Sequence, residues 1–246
     1  MNMLTLLSKE IKSFLNSLIG YMVISVFLIT VSLFLWVFPG TDFNVLENGY
    51  ANIDSLFIIA PWVFMFLIPA ITMRSFAEEA KTGTIELLLT RPLTDMQLIL
   101  AKYFGGFFLV VFSLVPTLIY FYAIYNLAAP LGNIDMGSLW GSYLGLLFLG
   151  GAYVAIGVFA SALSDNQVVA FILGMFLCFF CFMGFESLSA LHFWEGSDHF
   201  IQQLGIHAHY ISMSRGVIDT RDAIYFLSLI WFFLFLTQTL IQKRKW

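Results

Sequence analysis

The sequence predicts an all-α polytopic membrane protein with six transmembrane helices and an N-terminal interfacial amphipathic helix, and three observations carry that prediction. The first is composition: 60% of the 246 residues are hydrophobic, 11% are charged, Phe occurs 28 times and mean hydropathy is +0.90. A soluble domain of this length could not hide so much apolar surface and still present a wetted exterior. The second is length: a hydrocarbon core of about 30 Å needs roughly 20 helical residues to cross it, and six runs reach that length. The third is charge asymmetry. With six spans both termini share a side, which holds Lys9, Lys12, Arg74, Lys81, Arg91, Lys102, Lys243, Arg244 and Lys245, against Arg215 and Arg221 on the other. The excess of Lys and Arg predicts both termini in the cytoplasm.

In chain order, MNMLTLLSKEIKSFLNSLIG places Leu4, Leu7, Ile11, Phe14, Leu15 and Leu18 at helical spacing, with Lys9, Glu10, Lys12, Asn16 and Ser17 opposite. That pattern predicts an amphipathic helix lying in the interface. The spans follow at about 18–38, 56–73, 103–125, 139–163, 168–188 and 223–241, in a single membrane-spanning domain over 1–246. The runs are continuous rather than alternating, which excludes strands. The first ends at Pro39-Gly40 and the second at Arg74. The first run is long, lacks a cleavage site and is followed by further spans, so it is expected to stay in the mature chain. Pro61 and Pro69 bracket the second span and Pro116 interrupts the third, each removing a helix hydrogen bond and promoting a kink. In the fourth, Gly141-xxx-Gly145 and Gly157-xxx-Ser161 permit close helix contact, either within this chain or with a second membrane subunit.

Net charge is −4, so there is no basic footprint for nucleic acid. Cys178 and Cys181 sit one turn apart in an apolar run and read as packed, inert thiols. All four histidines, His192, His199, His207 and His209, fall in the outer segment 189–221, together with Arg215 and Arg221. His207-x-His209 lacks the i, i+4 spacing and further ligands of a helical metal pair. The segment is expected to form short amphipathic helices whose Trp194, Phe200, Ile201, Leu204 and Tyr210 dip into lipid or a partner. Glu186, near the outer end of span five, reads as an interfacial carboxylate. No metalloprotease, nucleophile-elbow or phosphate-loop motif occurs, and the spans carry almost no mid-membrane charge. The chain is therefore expected to be no enzyme, with no cofactor of its own, and any energy for work must enter from a partner.

Charge instead gathers in RSFAEEAKTGTIELLLTRPLTDMQLILAK, residues 74–102. Thr82-Gly83-Thr84 offers a helix start with Glu86 in the first turn, where the helix dipole favours a carboxylate. Ile85, Leu88 and Leu89 form an apolar face, and Arg91-Pro92 closes the helix. Thr94 and Gln97 have the spacing of a capping box, and Leu93 and Leu98 that of a hydrophobic staple. Such a short helix is marginal in water and needs a surface to dock on, its own bundle or a partner.

The run EEAKTGTIELLLTRPLTDMQLILAKYFGG resembles the cytoplasmic loop of type-2 ATP-binding-cassette (ABC-2) permeases: acidic residues, then G-T-x-E-x-L-L, a Pro, and a Lys opening the next span. Here those are Glu78, Glu79, Gly83, Thr84, Glu86, Leu88, Leu89, Pro92 and Lys102. The tail from His207 resembles the gliding-motility-associated permeases of that family, close relatives of the nitrous-oxide-reductase-maturation type. The resemblance implies a cytoplasmic coupling helix between spans two and three, seated on a separate ABC ATPase that binds ATP, and a second permease subunit, identical or different, in a bacterial inner membrane. It also implies that Glu78, Glu79, Lys81, Glu86 and Arg91 make rim contacts with the ATPase, that Leu87, Leu88 and Leu89 supply its apolar anchor, and that Pro69 and Pro116 are bending points. A membrane scaffold of an envelope assembly that transports nothing is the alternative of a different class.

Overall fold

The computed structural model describes residues 3–47, 49–84, 94–190, 198–216 and 219–243. Among these there is no strand, and six helices are long and apolar enough to cross a membrane. The all-α, six-span expectation is met. Helix α1 is Met3–Leu15, and Ser17, accepting from Gly20 N–H, caps α2, Leu18–Ser32, which ends in a π turn at Leu33–Val37. The second span is α3, Asp54–Thr72, followed after one residue by α4, Arg74–Lys81. Span three is α5, Asp95–Leu114, and α6, Leu118–Leu127, joined by a 3₁₀ turn that contains Pro116. Span four is α7, Met136–Leu163; span five is α8, Gln167–Phe179, with a π turn at Phe180–Gly184 and the short α9, Phe185–Ser189. Two short helices, α10, Asp198–Gln203, and α11, Ile206–Ser214, precede the last span α12, Thr220–Lys243.

Helix α7 is the hub. Of the residues in its apolar stretch 78% are buried, against 28% in the first, fifth and sixth spans. It packs on α3, α4, α5, α8, α11 and α12. One helix can touch so many neighbours because its small residues let backbones approach. A Cβ on Gly141 would lie 2.5 Å from the Met213 carbonyl oxygen, and one on Gly150 2.6 Å from Val110. A Cβ on Gly157 would collide with Thr72 Oγ1. The small-residue motifs are thus filled from within the chain. Larger contacts lock the same hub: Phe57 meets Tyr143 edge-on at 5.0 Å, and Tyr143 shares a hydrogen bond with Thr117 at 3.1 Å.

The perimeter has the opposite character. On α2, Tyr21, Met22, Val26 and Ile29 are exposed; on α8, Val168, Ile172 and Phe176; on α12, Ile224, Leu227, Trp231 and Phe235. Apart from the adjacent Tyr21 and Met22, steps of three and four place each set on one helix face, the stripe expected where the solvent is hydrocarbon.

The outer segment departs from the expectation in one respect. Phe200 and Leu204 are exposed, but Tyr210 is buried and its hydroxyl donates to the Phe57 carbonyl at 2.6 Å. Ile206 and Met213 are buried with it, because α11 seats on the glycine face of α7 at Gly141 and Gly145 rather than facing outward. Trp194 and His192 lie outside the described residues. His207 and His209 point to different partners: Nδ1 of His207 is 2.7 Å from Glu186 Oε2, and Nδ1 of His209 is 2.7 Å from Asp222 Oδ1. His209 also stacks on Tyr225 at 3.9 Å, tying α11 to the start of α12.

Gly157→Val should force α3 and α7 apart. We expect the folded protein to lose about 1–3 kcal/mol, the usual cost of overpacking a filled interior, read as a lower melting temperature by size-exclusion thermal shift in detergent.

Candidate functional site

The charged segment does not begin as a loop. The sequence reading ends the second span at Arg74, whereas α4 continues it as helix to Lys81. Thr82 and Gly83 then stop α4. Thr82 N–H donates to the Glu78 carbonyl at 3.0 Å and Gly83 N–H to the Ala80 carbonyl at 3.2 Å. Gly83 has φ +69°, the left-handed conformation that favours glycine at a helix end. Thr84 is helical again. Glu86, Leu87, Leu88, Leu89, Arg91, Pro92 and the staple residue Leu93 lie outside the described residues. The capping box at the far side is present: Thr94 Oγ1 accepts from Gln97 N–H at 3.3 Å, and Gln97 Oε1 accepts from Thr94 N–H at 3.2 Å.

Helix α4 has two faces. Arg74, Glu78 and Lys81, at i, i+4 and i+7, are exposed, as are Thr82, Gly83 and Thr84. Ser75, Phe76 and Ala77 are buried against α7 and α8. Glu79 belongs to the inner side. Its Oε1 accepts from Lys102 Nζ at 2.7 Å, while Glu10 Oε1 of α1 lies 3.4 Å from the same ammonium. Lys102 is only 3% exposed, and its Nζ stands 5.1 Å from the centre of the Phe76 ring.

An ammonium this buried is stable only because it is paired and faces a π system. One lysine thus ties together three elements distant in sequence: the interfacial helix α1, the extension α4 and the base of α5. Sequence reasoning gave Lys102 the role of opening span three and placed Glu79 on a partner's rim; the geometry brings them together and turns Glu79 inward. Glu10 was read as one polar residue among several on α1. The signal for this node was Lys102 itself, a cation entering an apolar span with no neighbour of opposite charge within a helical turn. Beside the node a cavity of about 330 Å³ opens between α1 and α4, lined in part by Lys9, Ser13, Arg74 and Glu78.

No group of three or more metal-ligating residues gathers among the described residues. Helix α4 is thus a short charged helix, packed on one face, exposed on the other, and joined to the second span through Met73.

A family model described as ABC-2 family transporter protein matches residues 39–235. No curated protein matches the chain.

Lys102→Met should leave the half-buried Glu79 and Glu10 without the ammonium they share. A loss of about 3–5 kcal/mol is expected for breaking such a pair from one side, seen as a fall in thermal stability. Adding Glu79→Gln should recover part of it, and a double variant no more stable than Lys102→Met alone would show that Glu79 is not a true partner.

Proposed function

The chain belongs to the ABC-2 family of transporter proteins, and from that premise we propose that it is a permease subunit worked by a separate cytoplasmic ABC ATPase through residues 74–102. The observation that carries this reading is the two-sided α4. Its inner face is fastened by the Glu79–Lys102 ion pair, and its outer face presents Arg74, Glu78 and Lys81 on a stiff continuation of span two. A rigid element with a charged free face transmits force where a slack loop would not. Charges at an interface rim steer association, and a buried apolar anchor supplies most of the affinity. Glu78, Lys81, Gly83, Thr84, Glu86 and Arg91 serve as the rim in this proposal and Leu87, Leu88 and Leu89 as the anchor, with Pro92 turning the chain back toward the membrane. Glu79 acts from behind, holding α4 in place.

In the full proposal ATP is bound and hydrolysed by the partner, and both termini lie in the cytoplasm of a bacterium whose inner membrane holds the protein. A second permease subunit completes the transport path. The sequence of the tail from His207 supports a place among the gliding-motility-associated members. Closure of the ATPase dimer pulls on α4, and the motion enters spans two and three as a rigid-body switch. Pro69, inside α3, and Pro116, in the 3₁₀ turn of span three, serve as the bending points in this proposal.

Leu88→Asp should lower ATPase co-purification by about tenfold or more, the effect of losing an interface anchor, while membrane insertion stays intact. Glu86→Lys should weaken recruitment less, in a salt-dependent way. Undiminished recovery of the ATPase with both variants would overturn the proposal.

A further inference from the structure

The break between α3 and α4 has its own construction. Helix α3 ends at Thr72, α4 starts at Arg74, and Met73 belongs to neither. Upstream, Pro69 has no N–H to donate. Thr72 Oγ1 bonds back to the Ile68 carbonyl at 2.9 Å and reaches that of Pro69 at 3.4 Å, an arrangement that bends helices. Downstream, two N–H groups turn to a side chain of another span. Phe76 N–H donates to Ser161 Oγ at 2.9 Å and Ala77 N–H at 3.0 Å, and the Ser161 hydroxyl donates to the Met73 carbonyl at 3.0 Å.

Those three bonds use the whole capacity of a hydroxyl, two lone pairs and one proton. Ser161 is 0% exposed, as is Ala77, and Phe76 is 1% exposed, so no water competes for the groups involved. A side chain inserted into the helical ladder is a sufficient cause of a kink. The break is also seated on residues that leave room: Gly157 lies under Thr72, and a Cβ on Gly174 would stand 3.2 Å from Pro69 Cβ.

We infer that Ser161 is the positioning residue of a hinge at Met73. It caps the severed start of α4 from span four and sets the angle at which the charged lever leaves span two. The lever then turns about Met73 as one body, because the Phe76 and Ala77 N–H groups stay bonded to Ser161 of α7. The hinge stands on geometry alone; its part in transport rests on the function proposed above.

Labels at Lys81→Cys and Leu163→Cys, with Cys178→Ala and Cys181→Ala, report the lever angle by pulsed electron-spin distance measurement in nanodiscs. The parent chain should give one narrow distance. Ser161→Ala should lose it, shifting or broadening the distribution, and Ser161→Thr, which keeps the hydroxyl, should retain it. An unchanged distance in Ser161→Ala overturns the hinge, and so does the same change in Ser161→Thr. In the complex with its co-purified ATPase, Mg-ATP and vanadate should shift the distance in the parent and fail to move it coherently in Ser161→Ala. If the parent shows no nucleotide shift, the coupling proposed above is refuted, and the hinge is judged on the first comparison.

Discussion

A single buried ammonium organises the end of this protein where α1, α4 and α5 meet. Lys102 sits where span three enters the apolar region, almost wholly removed from water. A lone charge there is prohibitive, so its carboxylate partners determine which elements must meet. Glu79 comes from the extension of span two and Glu10 from the interfacial helix. The lever therefore cannot drift from the base of span three without stranding a charge, and the N-terminal helix cannot lift away without weakening the same node. The interaction acts as a constraint on geometry more than as a source of stability.

The second organising element is span four. Its glycines give α3, α5 and α11 close access, and Ser161 near its C-terminal end supplies the hydroxyl that bonds the Phe76 and Ala77 N–H groups after the break in span two. Packing and polar satisfaction thus converge on one helix: the same small side chains that permit close approach also bring a donor and an acceptor within reach. At the outer end Tyr210 does the reverse, sending a hydroxyl from α11 into span two.

Local features were legible in the sequence. Span number follows from hydropathy over about 20 residues, and the capping box at Thr94 and Gln97 follows from a three-residue spacing. The buried node was not legible, because Lys102 and Glu10 are 92 residues apart and Lys102 and Glu79 are 23 apart. Nor was the contact of Ser161 with Phe76, across 85 residues. Thr82-Gly83 marks a boundary by its residue types, and the positive φ of Gly83 ends α4 there before Thr84 turns helical again. Residue type marks a boundary; only the preceding turn decides its sense. The amphipathic outer segment revealed that it had an apolar face but not where that face would be buried, and vacant space over Gly141 and Gly145 drew Tyr210 inward.

Because the small-residue motifs of span four are filled from within, the lipid-facing perimeter is left to large side chains, Leu, Ile, Val, Met, Phe, Tyr and Trp. Such side chains gain nothing from one another that acyl chains do not also offer. Any subunit joining along this rim competes with lipid for the same contacts. Contacts along such a face would therefore respond to acyl length and bilayer thickness as well as to residue identity.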